Sequence, residues 1–341
     1  VNSNRDPFLR DVALRGDPVV RSRLAVTYPV FAQYGERLDA LCKVSPYVGV
    51  GIGRESSRAA NSALTDRWGC HWIYPLESLD GVCDGHPLQC WSDLGRYRPP
   101  CVDEFTDWAK AAESLRAAHD RGQVAWGGTD HGFIFLRLTY LRGFNDLMLD
   151  LAEGAPELPE LIGLVEAYWL EVARRWIEAG ADVVSFGDDL GLQHALPIAP
   201  ATWRRFIGPS YRRIFQYCRA HGAQVYLHSD GYVLDIIPDL IDCGVTILNV
   251  QDLVNGLANL RRLVWGKVYL DLDVDRQNVT VFGTPVEVRA HIRESIRTLG
   301  SHQGGLSLIW GVYPGTPLAN IEAAVEAMGE YATLWQGGPP R

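Results

Sequence analysis

Residues 182–191 read Asp182-Val-Val-Ser-Phe-Gly-Asp-Asp-Leu-Gly191, a β-branched and aromatic run that ends in acidic residues and glycine. A short apolar run of this kind predicts a buried strand. The same grammar recurs at Gln123-Val-Ala-Trp-Gly127, Gln224-Val-Tyr-Leu227, Val245-Thr-Ile-Leu248, Lys267-Val-Tyr-Leu270 and Gly305-Leu-Ser-Leu-Ile-Trp310. Helical patterns lie between the runs. Leu161, Val165, Trp169, Val172 and Trp176 recur at helical spacing, and Gly180 closes that helix. Trp203, Phe206, Ile207, Tyr211, Ile214, Phe215 and Cys218 repeat the pattern before Gly222, and Val233, Ile236, Ile237, Leu240 and Ile241 do so before Gly244. Thr284-Pro285-Val286-Glu287 predicts a capping box with proline at the first helical position. Val288, Ile292, Ile296 and Leu299 then share a face, and a last helix runs from near Thr316-Pro317 to about Tyr331.

Alternating strands and helices imply a parallel sheet covered by helices. An open doubly wound sheet and a closed barrel both fit. At least six strands are visible and polar residues follow almost every one, whereas an open sheet gathers its site at one switch point. The reading is therefore an α/β chain of the (β/α)8 TIM-barrel type. It is taken as a single domain over residues 1–341, with regular β/α repeats over 121–335 and a less regular N-terminal part over 1–120. In that part, Arg67–Tyr74 and Leu79–Cys83 suggest a β-hairpin inserted near the barrel mouth.

Composition narrows the function. The 341 residues are 47% hydrophobic, enough for a large core, and carry a formal net charge of −9. With no basic block, the chain has no general attraction for nucleic acid or anionic membrane. The N-terminal stretch lacks the apolar region of a signal peptide, and no apolar run approaches a transmembrane length, so a cytoplasmic location is expected. The seven cysteines are odd in number and include no CxxC. Cys70, Cys83, Cys90 and Cys101 have spacings that fit no standard zinc module, and ordinary buried thiols are expected there. Gly49-Val-Gly51-Ile-Gly53 lacks the following helix and the spacing of a dinucleotide fingerprint. No P-loop, GxSxG or HExxH occurs.

In a barrel of this type, the residues just after each strand face the active site. Those positions hold Asp130 and His131, Asp188 and Asp189, His228 and Asp230, Asn249 and Gln251, Asp271 and Asp273, and Tyr313, with Gln193 a little beyond. The six strand ends contain no Lys or Glu, which a solvated loop would use freely. Asp188, Asp189, His228 and Asp230 are the candidate catalytic residues. Asp130, His131, Gln193, Asn249, Gln251, Asp271, Asp273 and Tyr313 are candidates for substrate binding. His228 and Asp230 stand at i and i+2, so both can point into one pocket. They can act as two metal ligands or as a metal-free acid–base pair, and the residues alone do not choose. Capping and loop satisfaction are the competing roles for the aspartates and amides.

Several segments together resemble the uroporphyrinogen decarboxylase superfamily, and its corrinoid-dependent methyltransferase-like branch more than the haem-pathway decarboxylase. Asn4-Arg5 with Phe8-Leu9 resembles the family's opening, and Thr65-Asp66-Arg67-Trp68-Gly69 resembles its DxWG element. Gly304-Gly305 through Gly315-Thr316-Pro317-Leu-Ala-Asn320-Ile321 resembles its closing segment. His228-Ser229-Asp230-Gly231 falls where the methyltransferase branch has His-x-Cys-Gly. The resemblance implies a (β/α)8 barrel, a homodimer, and methyl transfer between a small methylated substrate and a corrinoid held by a partner protein. It also implies zinc held by the histidine, that cysteine and a later one. Here Asp230 replaces the first cysteine, and no thiol lies near Gly311–Tyr313 where the second belongs. A harder site built on His228, Asp230 and another carboxylate is the metal alternative. Cofactor-free decarboxylation of uroporphyrinogen or another carboxylate is the second reading, although the decarboxylase's arginine-rich N-terminal motif is not recognisable. A non-catalytic small-molecule-binding barrel is the third.

Overall fold

Each apolar run quoted above becomes a strand, and each strand reaches further into its polar end than the run itself. A computed structural model describes residues 4–41, 43–53, 59–76, 81–128 and 131–337. In chain order the strands are β1 (Arg21–Val26), β2 (Val48–Ile52), β3 (Ser62–Thr65), β4 (His71–Tyr74), β5 (Val82–Gly85), β6 (Trp126–Gly128), β7 (Val183–Gly187), β8 (Gln224–Ser229), β9 (Ile247–Gln251), β10 (Tyr269–Asp273) and β11 (Leu306–Val312). The chain divides into two compact units, one formed by Val1–Ser57 with Ile247–Arg341 and the other by Arg58–Thr246.

In the Arg58–Thr246 unit, β6, β7 and β8 pair in parallel, with Val184 opposite Val225 and Gly187 opposite His228. Parallel neighbours need a long crossover. The helix Leu158–Glu178 joins β6 to β7, and Gly208–Ala220 joins β7 to β8. Leu158–Glu178 buries Leu161, Val165, Trp169 and Val172 of the stripe its sequence spacing predicts and leaves Trp176 half-buried. Phe133, Phe186, Tyr211 and Phe215 pack ring against ring with centroids 4.7–5.6 Å apart. Full burial of each such side chain stabilises the fold by about 1.5–3 kcal/mol. The Trp169 indole N–H donates to the Phe133 carbonyl at 2.7 Å, so even the polar edge of this cluster is satisfied.

The expected hairpin is present as β4 and β5, within an antiparallel sheet of order β3-β4-β5. β4 is shorter than expected, because Asp66 accepts the Trp68 and Cys70 N–H groups and holds 66–70 in a turn. Residues 79 and 80 of the expected second strand lie outside the described residues. Of the four cysteines in this region only Cys70 is buried; Cys90 and Cys101 are exposed, which corrects the expectation of buried thiols.

In the other unit, β1 lies between β2 and β11, and β10 lies between β11 and β9, all in parallel. The N-terminal part is thus more regular than its sequence suggests. Gly49 and Gly51 alternate with Val48, Val50 and Ile52 in β2, which pairs along β1 from Ser22 to Val26. The helices Pro285–Leu299 and Leu318–Tyr331 pack against each other, and Trp310 on β11 is fully buried. The Thr284–Glu287 capping box is formed as predicted. No helix among the described residues is long and apolar enough to cross a membrane.

Candidate functional site

Side chains alternate at a strand end, so two adjacent aspartates cannot do the same work. Past β7, Asp188 turns into the protein and is 0% exposed. Its carboxylate accepts the backbone N–H groups of Ile134 (3.1 Å), Phe135 (2.7 Å) and Leu136 (2.7 Å), and the Tyr211 hydroxyl (2.5 Å). These N–H groups open the helix Phe135–Arg142, whose first turn has no helical acceptors of its own. Burial pushes the Asp188 carboxyl up to about 6, against the pull of Tyr211, Leu136 and Phe135. Asp188, expected to be catalytic, is therefore placed as the buried anchor of that helix.

Asp189 turns the other way. One oxygen lies 3.1 Å from His131 Nε2; the other lies 3.6 Å from His228 Nε2 and accepts the Asp230 N–H at 3.2 Å. Asp230 Oδ1 stands 3.4 Å from His228 Nε2, so the i, i+2 pair does share one face. The side chains of these four residues are 23–46% exposed, unlike that of Asp188. Burial would raise the Asp189 carboxyl, but the His131 hydrogen bond and charge, the neighbouring His228 and the Asp230 N–H hold it below its ordinary value. Burial opposes a charged His131, yet Asp189, with Asp188 and Asp230 nearby, raises that imidazole above its ordinary value.

Glycine makes room for this arrangement. A Cβ on Gly187 would lie 2.6 Å from His131 Nδ1. The loops after β7 and β8 cross at Gly191 and Gly231, where the Gly191 N–H donates to the Asp230 carbonyl at 3.2 Å. Gly231 has a φ of +80°, and a side chain at either glycine would overlap the other's backbone. Ser229 completes the crossing by accepting the Leu190 N–H at 3.0 Å.

Other expected residues have different fates. Asp130 and Thr129 lie outside the described residues, and Gln193 is exposed in the loop beyond Gly191. In the other unit, Asp271 is 1% exposed. It is gripped by both terminal nitrogens of Arg23 at 3.0 and 2.5 Å and by Ser307 at 2.5 Å, which makes it half of an ion pair. Asn249 is buried and donates to the Asp271 carbonyl. Asp273 lies 3.5 Å from Arg276, whose guanidinium sits over the Tyr313 ring at 5.6 Å. Gln251 is half-buried and lines a small hollow of about 20 Å³ with Asp273, Asp275 and Arg276. Arg23, Tyr211 and Gly187 are not among the site residues expected from the sequence. A cation inside a strand is a visible anomaly, but its partner is not.

The resemblance-implied thiolate zinc set does not fit this site: its donors are two imidazoles and two carboxylates, and none is a thiol. A nitrogen- and oxygen-donor set is present instead.

Comparison with known proteins agrees with this architecture. The profile of the uroporphyrinogen decarboxylase (URO-D) family matches residues 82–331. A methylcobamide:CoM methyltransferase, MtaA, of Methanosarcina barkeri is 26% identical over 162 residues, 47% of this chain and 44% of that protein. A uroporphyrinogen decarboxylase of Thermus thermophilus is 26% identical over 164 residues, again 47% of this chain and 44% of that protein. Each match therefore spans less than half of the relative's length. A solved methyltransferase from Methanosarcina mazei superposes with a TM-score of 0.69 at 18% identity, covering 97% of this chain and 99% of that one. The fold is the (β/α)8 TIM-type class.

Proposed function

The chain belongs to the uroporphyrinogen decarboxylase family, and we propose that within it the protein transfers a methyl group between a small methylated substrate and a corrinoid carried by a partner protein. One observation carries the reading: the Asp189 carboxylate bridges His131 and His228, with Asp230 beside His228, on half-exposed strand ends. When a methyl group leaves an oxygen, nitrogen or sulfur, that atom keeps an electron pair that must be neutralised. His131, whose imidazole Asp189 raises above its ordinary value, can donate a proton there, and His228 can hold the same atom in place. In the reverse direction the same pair can accept the proton of an attacking thiol or alcohol.

Charge favours this reading over decarboxylation of a polycarboxylate. The site presents Asp189 and Asp230 with Asp188 behind them, and like charge at short range disfavours an acidic substrate. The decarboxylase relative keeps the second reading concrete enough to test. The purified chain is incubated with methylcobalamin and a panel of thiols, or with cob(I)alamin and methylated ethers, amines and sulfides. Methyl exchange lost in His228→Ala is the expected result. No exchange across the panel, with coproporphyrinogen formed from uroporphyrinogen, would overturn it.

A further inference from the structure

Three donor side chains arrive from the ends of β6, β7 and β8, all inside the Arg58–Thr246 unit: His131, Asp189 and His228. Their donor atoms lie within 4.8 Å of one another. The two imidazoles address opposite oxygens of one carboxylate through their Nε2 atoms, at 3.1 and 3.6 Å, with ring centroids 5.7 Å apart. A first-row divalent ion holds nitrogen and oxygen donors at about 2.0–2.2 Å, which sets neighbouring donors roughly 3–3.5 Å apart. The His131 separation has that value, and the His228 separation lies just above it. Only the gap between the imidazoles must close, and both rings are accessible enough to turn.

We propose that His131, Asp189 and His228 form a divalent metal site, facing solvent and leaving coordination positions open for a substrate atom. It replaces the thiolate set implied by the family resemblance. Two imidazoles and a carboxylate suit zinc, iron(II), cobalt or manganese and give no special preference for soft copper(I). Three protein donors with an open position are the pattern of a catalytic rather than a structural site. The surroundings are built to hold the donors. Asp189 is fixed by the Asp230 N–H, and the strand end beside it is clamped by Asp188 to the helix Phe135–Arg142. Gly187 leaves the space that the His131 ring occupies. Asp230, 3.4 Å from His228 Nε2, adds negative charge next to the ion.

The inference rests on the methyl-transfer reading for its purpose, where the ion would polarise the substrate heteroatom in place of the His131 proton, but not for its test. The full chain is stripped with a chelator and titrated with cobalt(II), and the visible spectrum is followed. One equivalent should bind, giving d–d bands without a thiolate-to-metal charge-transfer band. His131→Ala, Asp189→Asn and His228→Ala should each weaken binding by about a hundredfold or more, and Gly187→Ala, which moves only the His131 ring, should also weaken it. Absence of stoichiometric binding, a thiolate charge-transfer band, or binding unchanged in His131→Ala and Asp189→Asn would each overturn the site. Cobalt binding without methyl exchange would leave the metal site standing and remove the proposed activity. Full methyl exchange by the stripped protein would keep the activity and remove the ion from it.

Discussion

Gly187→Ala separates the candidate site from the fold. The strand end is pinned: the Gly187 carbonyl accepts the Gly132 and Phe133 N–H groups at 3.0 Å each, and the Asp188 N–H donates to the His228 carbonyl at 3.0 Å. The new methyl carbon would lie 2.6 Å from His131 Nδ1 and 3.3 Å from Cε1, so the imidazole must retreat by about 1 Å to reach ordinary contact near 3.5 Å. That retreat takes Nε2 to roughly 4 Å from Asp189, beyond hydrogen-bond range. Losing one half-exposed hydrogen bond costs about 1 kcal/mol. Replacing glycine by alanine in an allowed extended conformation returns about 0.4–1 kcal/mol through the unfolded chain. Net stability should therefore change by less than about 1 kcal/mol, a shift in Tm of about 2–4 °C at most for a chain of this size. Turnover should fall far more, since a 1 Å misplacement of a reacting group costs about a hundredfold. Thermal melts and methyl-exchange rates on the same preparation measure both. If Tm is unchanged and turnover stays within about threefold of the parent, His131 does not belong to the working site.

Two further outcomes test the scaffold. Asp11 is 2% exposed, accepts the Gly305 N–H at 3.1 Å, and lies 3.8 Å from Arg21; burial outweighs both and pushes its carboxyl up to about 7. The folded state then prefers the protonated acid, so this group's stabilising share is complete below about pH 4 and lost as pH rises through 7. A shift of about three pH units amounts to about 4 kcal/mol at pH 8. Asp11→Asn should therefore raise stability to denaturant at pH 8 and leave it nearly unchanged at pH 4; destabilisation at pH 8 would refute the assignment. Gly231→Ala places a side chain at φ +80° against the Gly191 backbone. A left-handed residue costs about 1–2 kcal/mol and the overlap about 1–3 more, so a clear drop in Tm or in soluble yield is expected. A Tm within about 2 °C of the parent would mean that the two loops do not cross as described.

The alternation of strands and helices, the polar character of the strand ends and the pairing of His228 with Asp230 can all be read along the chain. Each depends on a local period, two residues for a strand and 3.6 for a helix, and a period survives without knowledge of the fold. Local pattern also hid things. β1, Arg-Ser-Arg-Leu-Ala-Val, and the glycine-rich β2 did not read as strands, because an interior arginine looks like surface until its acid is found. That acid is Asp271, 248 positions away. Only the tertiary structure could divide Asp188 from Asp189. The two are neighbours of identical chemistry, and their roles depend on which meets the unpaired N–H groups of a helix start 52–54 residues earlier and which meets two imidazoles. Burial and partnership are long-range properties, so the ring of polar residues was legible in the chain while the assignment of each member was not.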